Sequence, residues 1–303
     1  MCIRDRDRGK DIRDIENNLD SEIVTPKHFR GELAGFVHHP ETIKLSYRSE
    51  DPELQLVQQP RLLRALVNET RTYDMRRDPY VIELRERNDA RAAKHLQEAL
   101  ERRKTYCAEQ LRAFTTRAEA LNEQLGGDMC EWFVRTCINR SMAELDEGLS
   151  PFPDMSEKER RHLASILSHM RRTSSVINAR TDITPLSMSD KATVLVSYLL
   201  RLQTGNFRSI LFVEQRAVVK ALAHMLHSIP DVAARYSIGT FMGNSISSRG
   251  KATIADLADY REQATDLETF RSGQVNPMIA TNVLDEGNDV LTKVSSASTC
   301  VRV

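Results

Sequence analysis

The pattern of apolar and polar positions divides the chain into a helical stretch and a later stretch of alternating strands and helices. Residues 89–125 contain no proline or glycine. Apolar side chains recur there every three or four residues or at multiples of that spacing, at Leu96, Leu100, Cys107, Leu111, Phe114 and Leu121. That spacing places them on one face of an α-helix. The pattern therefore predicts helix through most of this region.

Signals for helix ends occur on either side of further helical segments. Gly126 and Gly127 predict the end of a helix, because glycine readily adopts the backbone conformation of a C-cap. Ser156 and Ser189 each stand before an apolar-periodic run and predict N-caps. We expect residues 51–183 to form an all-α block whose packing is anchored by the single tryptophan, Trp132.

Short apolar runs separated by helical patterns predict an α/β sheet after residue 184. Strands are expected within the segments FRSILFVEQ, YSIGTFMG and NPMIATNVL, with helices between them. This alternation with short loops is typical of a parallel, doubly wound sheet, which binds ligands at the carboxyl ends of its strands. The polar loops EQR, GTFMGNS and TNVLDEGND follow the three predicted strands at that edge.

The first 50 residues are too few for a core of their own. A strand is expected at residues 42–47, where Ile43, Leu45 and Tyr47 alternate with polar side chains. Residues 1–6, MCIRDR, resemble a string that recurs in assembled sequences, and we expect them to be an artefact.

The composition argues against several classes of function. Lysine plus arginine equals aspartate plus glutamate at 43 each, so any basic surface must be local. The five cysteines form no CxxC pair, which favours reduced thiols in a cytoplasmic or nuclear protein over a zinc site or a disulfide framework. The chain has no apolar run of membrane-spanning length and no signal-peptide core, so we expect no membrane partner.

Four segments resemble the Dicer and RIG-I-like branch of the superfamily 2 helicases. SILFVEQRAVVKALAHML is similar to its motif IV, and QATDLETFRSGQVNPMIATNVLDEGNDV to the helix and strand that lead into motif V. ALNEQLGGDMCEWFV resembles a helix of the insertion between the two motor lobes of this branch. DIRDIENNLDSEIVTP resembles the segment that follows motif III, and fungal Dicer-like proteins are the most similar. The resemblance covers nearly the whole chain, and motifs IV and V in order are fairly specific.

The resemblance implies a fold and a division into domains. Residues 1–50 would be the end of the first helicase lobe, residues 51–183 the all-α helical insertion, and residues 184–303 a RecA-like parallel-sheet C-terminal lobe truncated after motif V. The sequence contains no GxxxxGK[S/T] loop and no DExH, which the family carries in the first lobe, and no arginine-rich motif VI. We therefore expect a fragment that is inactive as an ATPase by itself.

The final residues depart from the family pattern. LTKVSSASTCVRV, residues 291–303, stands where the family continues through a proline and a cysteine into its next strand. An insertion, an unspliced read and a frame error each account for this departure.

The resemblance also implies site residues. Asp289 would position the nucleotide ribose and the motif VI arginines, with Gly287 allowing the tight turn and Glu286 beside it. The residues implied to contact the RNA backbone are Thr281, Gln215, Arg216, Gly243 and Gln263. No catalytic residue and no metal ligand is implied within the chain.

Structural alternatives exist for several of these residues. Asp289 could instead be an ordinary aspartate in a turn. Thr281 could be a strand-end cap, and Arg216 could be an arginine at a helix N-terminus that pairs with an acidic residue. His224 and His227 lie one helical turn apart without a third ligand, which favours surface residues over a metal site.

The implied function is the ATP-dependent RNA helicase or translocase module of a Dicer-like endoribonuclease that acts on double-stranded RNA in RNA silencing. ATP and magnesium would bind through the first lobe. The implied partners are double-stranded RNA, that first lobe and a protein cofactor on the helical insertion. The alternatives are a RIG-I-like or archaeal-type helicase without nuclease domains and a truncated, non-catalytic module that binds RNA or a partner.

Overall fold

The computed structural model describes nine segments of the chain. They are residues 43–48, 59–87, 89–146, 155–177, 188–202, 208–242, 253–255, 260–281 and 298–302. Contacts divide the chain into two compact units, residues 1–45 and 46–303, and every helix and strand below belongs to the second.

Helices make up the first part of this unit. They are α1 (Arg61–Thr72), α2 (Pro79–Glu86), α3 (Ala90–Arg102), α4 (Tyr106–Leu125), α5 (Gly127–Asp146) and α6 (Glu157–Ile177), with a 3-10 turn at Met75–Arg77. The predicted end of α4 is confirmed, because Gly126 has a φ of 98° and its N–H donates to the Asn122 carbonyl at 2.9 Å. The predicted cap at Ser156 is confirmed as a full capping box, in which Glu159 Oε2 accepts from both the N–H and the hydroxyl of Ser156.

The long glycine-free stretch at residues 89–125 forms two helices rather than one. The chain turns at Arg103, whose φ is 48°, and Thr105 caps α4 by accepting the Ala108 N–H. The Thr105 hydroxyl donates to the buried carboxylate of Asp78 at 2.6 Å. The break is therefore accompanied by a contact with Asp78, which lies 27 positions earlier. The local sequence pattern does not predict this contact.

The second part of the unit is a four-stranded parallel sheet with its helices. Its elements are α7 (Asp190–Arg201), β1 (Arg208–Val213), α8 (Arg216–Ser228), α9 (Pro230–Ala233), β2 (Gly239–Phe241), α10 (Tyr260–Ser272), β3 (Met278–Thr281) and β4 (Ser298–Arg302). The strand order is β2-β3-β1-β4 and every pairing is parallel. The predicted cap of α7 is confirmed, since Ser189 Oγ accepts the Ala192 N–H at 3.1 Å.

Both faces of the sheet are covered. Leu211 and Ile279 point into the core on the α8 side, whereas Phe212 and Met278 belong to a second cluster that includes Phe270 of α10. Alternate residues of one strand thus enter opposite cores, as a doubly wound sheet requires. The predicted α/β fold class, with a parallel sheet preceded by an all-α block, is confirmed.

The helical block and the sheet share one core. Buried Phe114 and Phe133 meet edge to face at 6.0 Å, and the same cluster of buried side chains continues to Leu222 on α8 and Ile279 on β3. The predicted boundary between residues 183 and 184 lies outside the described residues. Among the described residues no helix is long and apolar enough to cross a membrane.

Two details at the ends of the chain differ from expectation. Residues 43–48 form neither helix nor strand, and Ile43, Leu45 and Tyr47 are all at least 40% exposed. The strand expected at 42–47 is therefore wrong for these residues, because alternation produces a strand only beside a partner and no described strand pairs with it. β4, by contrast, lies in the stretch that departs from the family pattern and pairs with β1 from Arg208↔Ser298 to Phe212↔Arg302.

Candidate nucleic-acid interface

Three of the four parallel strands end together at one edge of the sheet. Val213 at the end of β1 is in register with Thr281 at the end of β3, and Phe241 of β2 is in register with Ala280. The chain therefore leaves β1, β2 and β3 at neighbouring points of the carboxyl edge. Of the three polar segments predicted as loops, EQR follows β1 as expected. The prediction is wrong for the first residues of the other two, because Gly239–Phe241 form β2 and Thr281 is the last residue of β3.

Thr281 is buried at this edge, with 4% of its surface exposed. Its hydroxyl donates to the carbonyl of Met242 at 3.2 Å, which ties the end of β3 to the residue that follows β2. A contact between this hydroxyl and a phosphate would compete with that bond. The RNA contact expected of Thr281 stays a prediction, and its hydroxyl has a structural partner.

A carboxylate that sequence reasoning missed holds the neighbouring strand. Asp266 of α10 accepts the N–H of Thr240 at 2.8 Å and the Thr240 hydroxyl at 3.2 Å. Thr240 is buried, so the bonds fix β2 against α10 just before the edge. The two residues are 26 positions apart, and no local motif marks the pair. Gln263, an expected RNA contact, lies on the same helix one turn earlier.

Gln215 and Arg216 lie where β1 passes into α8. Gln215 is the N-cap residue, but its side chain makes no capping bond. Its Oε1 atom is buried and has no hydrogen-bond partner among the described residues. Both residues line an open cleft with a cavity volume of about 210 Å³.

Residues of the helical block also line this cleft. Thr116 and Arg117 of α4 line it, together with Ala217 and Ala255. Sequence reasoning missed Thr116 and Arg117, because they lie about a hundred positions before Gln215 and only the tertiary fold brings them near. We call the space lined by these six residues the α4–α8 cleft.

Polar contacts hold residues 253–255 against α4 beside the cleft. The N–H of Ile254 donates to the buried Gln110 Oε1 at 3.1 Å, and the Arg117 guanidinium donates to the Thr253 hydroxyl. A second contact joins the helical block to α8, where the Trp132 and His224 rings stack with centroids 4.2 Å apart and an angle of 11° between the rings. Thus Gln110, Arg117 and Trp132 of the block all touch the part of the chain that carries the sheet.

The two histidines of α8 have partners other than a metal. His224 stacks on Trp132, and burial, followed by the nearby His227, lowers the pKa of His224. His227 Nδ1 lies 2.8 Å from the Ala223 carbonyl oxygen. In the described part of the chain no group of three or more histidine, cysteine, aspartate or glutamate residues could hold a metal ion.

The remaining candidate residues fall outside the described segments. These are Gly243, Glu286, Gly287 and Asp289. The expected contacts of the last three with a nucleotide, and hence the fit of ATP or magnesium to them, stay predictions. The structure therefore describes the ends of β1, β2 and β3 and the α4–α8 cleft, but not the loop that follows β3.

Comparison with known proteins identifies relatives in fungi. No protein-family model matches the chain. The chain is 35% identical to Dicer-like protein 2 of Phaeosphaeria nodorum over 289 residues, which are 93% of this chain and 20% of the relative. It is 34% identical to Dicer-like protein 2 of Aspergillus terreus over 289 residues, again 20% of the relative and 94% of this chain. It is 32% identical over 285 residues to that of Neosartorya fischeri, with the same coverage.

These matches confirm the resemblance to fungal Dicer-like proteins, and the chain spans about a fifth of the length of the curated relatives it matches. Among solved structures, the helicase domain of Pyrococcus furiosus Hef aligns with a TM-score of 0.29 and 18% identity, covering 89% of this chain and 55% of that one. This structural similarity is weak.

Proposed function

Because the chain is homologous over nearly all its length to a segment of fungal Dicer-like proteins, we propose that it is part of the ATP-dependent RNA helicase module of such a protein. The parent would be an endoribonuclease that acts on double-stranded RNA in RNA silencing. Within it, the chain would supply the end of the first lobe, the helical insertion and most of the second RecA-like lobe. The relatives reported above are all Dicer-like proteins, which favours this parent over a RIG-I-like helicase.

The observation that carries the proposal is the shared edge at which β1, β2 and β3 end. A motor that moves along RNA of any sequence needs contacts to phosphates and sugars, because the bases vary and these groups do not. Arg216, at the base of the loop after β1, suits a phosphate, since a guanidinium can donate two parallel hydrogen bonds to its oxygens. Gln215 and the loop that contains Gly243 would complete this backbone contact.

Thr281 enters the proposal as a positioning residue. Its hydroxyl bond to Met242 holds the ends of β2 and β3 together, which fixes where the loops on either side of it begin. Its contact with RNA would then be made through the main chain at the end of β3 rather than through the hydroxyl. Gln263 on α10 would lie at the margin of the same surface.

The loop after β3 would face the nucleotide. Asp289 would orient the ribose, Gly287 would allow the backbone to turn, and Glu286 would lie beside them. ATP and magnesium would bind mainly through the first lobe. The two lobes would close around the bound nucleotide, and its hydrolysis would let them open again. Residues of the loop after β3 would thus lie close to both ATP and RNA. Binding or hydrolysis of the nucleotide would then move the residues that contact RNA.

Binding of duplex RNA to the purified chain tests the RNA half of this proposal. Fluorescence anisotropy is measured for the wild type, for Arg216→Ala and for Arg85→Ala, an exposed arginine on α2 that does not line the cleft. We expect Arg216→Ala to weaken binding about fivefold, as for the loss of roughly one hydrogen bond of ~1 kcal/mol, and equally for every RNA sequence. In a plot of log affinity against log salt concentration, we expect the slope to become shallower by about 1.

The control variant Arg85→Ala should bind like the wild type. Wild-type affinity too weak to measure would contradict the proposal. So would equal losses in the two variants, because the basic residues would then act only through net charge. Circular dichroism melting of each variant separates a lost contact from a lost fold.

A further inference from the structure

The start of α7 is bonded to the end of α4 through one buried serine. Ser189, which is 5% exposed, donates its N–H to the Leu125 carbonyl at 3.2 Å and its hydroxyl to the Gln124 carbonyl at 2.6 Å. The same hydroxyl accepts the Ala192 N–H at 3.1 Å. The cap of α7 and the attachment of α7 to α4 therefore depend on one side chain.

The next two residues of α7 contact a segment far earlier in the chain. The Arg48 N–H donates to Asp190 Oδ2, across a separation of 142 positions, and Lys191 Nζ lies 5.7 Å from the centroid of the Tyr47 ring. We call Tyr47 and Arg48 the strap. Both strap residues are exposed, whereas the bonds of Ser189 are buried. The strap can therefore leave α7 while α7 stays attached to α4.

The strength of the strap contact suits a reversible attachment. An exposed hydrogen bond and an exposed cation–π contact are each worth roughly a two- to fivefold preference for the bound arrangement. Together they favour the bound strap by about 4- to 25-fold, which leaves roughly 4–20% of the molecules with the strap released. A movement of the chain before the strap can shift such an equilibrium.

The end of α7 is bonded to the segment that leads into β2. The Tyr236 hydroxyl, which is buried, donates to the Leu199 carbonyl at 2.7 Å, and the Arg235 guanidinium donates to the Leu200 carbonyl at 2.7 Å. With 12 residues, α7 is about 18 Å long. One helix thus contacts the strap at its start and the chain that enters β2 at its end.

The strap connects two points that are far apart along the chain. After residue 48 the chain passes through the whole helical block before it reaches α7. A displacement of the chain before residue 46 would therefore reach α7 directly through Tyr47 and Arg48. Without the strap, the same displacement would have to pass through the block.

We infer that α7 is a lever between the two motor lobes: the strap joins its first turn to the end of the first lobe, and Tyr236 joins its last turn to β2. This inference rests on the proposed function, in which residues 1–50 are the end of the first lobe. Asp190 and Tyr236 are then positioning residues, because they act through α7 and not on RNA or the nucleotide. When the lobes close, a strap bound to α7 would shift the edge at which β2 ends.

Hydrogen exchange of the Arg48 amide in the purified chain tests the strap. An N–H bonded to Asp190 exchanges mainly when the strap is released, so we expect exchange at least about fourfold slower than in an unstructured peptide. Asp190→Ala should remove most of this protection, whereas Asp190→Asn keeps an acceptor oxygen in the same place and should retain it. An Arg48 amide that exchanges at the unstructured rate in the wild type would overturn the inference.

RNA-stimulated ATP turnover tests the coupling, in a chimera in which this chain replaces the homologous segment of a fungal Dicer-like protein 2. Asp190→Ala should reduce the stimulation by RNA about fivefold, while the melting temperature and the nucleotide-free RNA affinity stay close to the wild type. Asp190→Asn should keep most of the stimulation. Asp231→Ala is the matched control, because it also removes an acidic residue from the first turn of a helix, and it should behave like the wild type.

A double variant tests whether both ends of α7 belong to one connection. Tyr236→Phe removes only the hydroxyl that bonds to Leu199, and it should also reduce the stimulation by RNA. Combined with Asp190→Ala, it should cause no further loss beyond the more affected single variant, because both changes interrupt the same path. If Tyr236→Phe fails to fold, Arg235→Met takes its place, since its bond to the Leu200 carbonyl is exposed.

The outcomes distinguish this inference from the proposed function. A chimera whose turnover is stimulated by RNA equally in the wild type and in Asp190→Ala would overturn the lever and leave the proposed function standing. Losses that multiply in the double variant would also overturn it, because the two ends of α7 would then act independently. A wild-type chimera without RNA-stimulated turnover would overturn the proposed function and the lever together, whatever the exchange at Arg48 shows. Protection of Arg48, a fivefold loss in Asp190→Ala and no further loss in the double variant are the results expected.

Discussion

Replacement of Thr281 by valine separates the structural role of this residue from a direct contact with RNA. Valine keeps the shape of threonine and replaces only the hydroxyl, so the packing of the buried side chain is retained. The bond from Oγ1 to the Met242 carbonyl is lost.

The expected magnitude follows from the burial of the bond. Thr281 is 4% exposed, so we expect the free energy of unfolding to fall by about 0.5–1.5 kcal/mol, the net contribution of one intramolecular hydrogen bond. For a unit of this size the melting temperature should drop by roughly 2–4 °C for each kcal/mol. Thr72→Val is the matched control, because its hydroxyl bonds to the Asn68 carbonyl on an exposed helix surface, where water can substitute.

Thermal melting by circular dichroism and RNA binding by anisotropy are measured on both variants. Thr281→Val should melt earlier than the wild type, and its RNA affinity well below the melting temperature should change by less than about twofold, since the hydroxyl is not on the RNA. Thr72→Val should change neither quantity beyond about 0.5 kcal/mol. Unchanged melting of Thr281→Val together with a fivefold loss of RNA affinity would refute the structural reading and assign the hydroxyl to a phosphate.

Three further predictions follow from the described contacts and from the sequence. Gly239→Ala should lower the free energy of unfolding by about 1–3 kcal/mol, because an added Cβ would lie 2.6 Å from Val275 Cγ1; denaturant unfolding checks this, and an unchanged midpoint would contradict it. His224→Gln should flatten the pH dependence of the melting temperature. Because the pKa of His224 is lowered in the folded chain, the unfolded chain binds the proton more readily, and stability falls as the pH drops below the ordinary histidine pKa of 6.5. An identical pH profile in the variant would count against this. The purified chain should neither bind ATP tightly nor hydrolyse it, because it contains no phosphate-binding loop and no DExH sequence; RNA-stimulated turnover in a phosphate-release assay would refute that expectation.

Helix ends and buried strands were predicted correctly where they depend on residues close together in the sequence. Gly126 ends α4, and Ser156 and Ser189 cap helices, because a positive φ or a capping hydroxyl acts within a few residues. β1 and β3 were recognisable because strands buried on both faces are continuous apolar runs.

Features that depend on distant residues were not predictable in this way. The break at Arg103 accompanies the bond from Thr105 to Asp78, and the strand expected at residues 42–47 lacks a neighbour to pair with among the described strands. Arg117 lines the same α4–α8 cleft as Gln215 only through the tertiary fold. The resemblance pointed to Gln215 and Arg216 by their place in the chain and gave no sign that residues of α4 line the same cleft.

ATP hydrolysis by a restored motor tests the central claim most directly. This chain replaces the homologous fifth of a fungal Dicer-like protein 2, and turnover is measured with and without duplex RNA for the chimera and for its Asp289→Ala variant. If the chain is the helicase segment of a Dicer-like protein, the chimera will hydrolyse ATP faster with RNA, and Asp289→Ala will lose turnover while its nucleotide-free RNA binding stays within about twofold of the parent. A folded chimera that binds RNA but shows no RNA-stimulated turnover, or an Asp289→Ala variant with full turnover, would contradict the account.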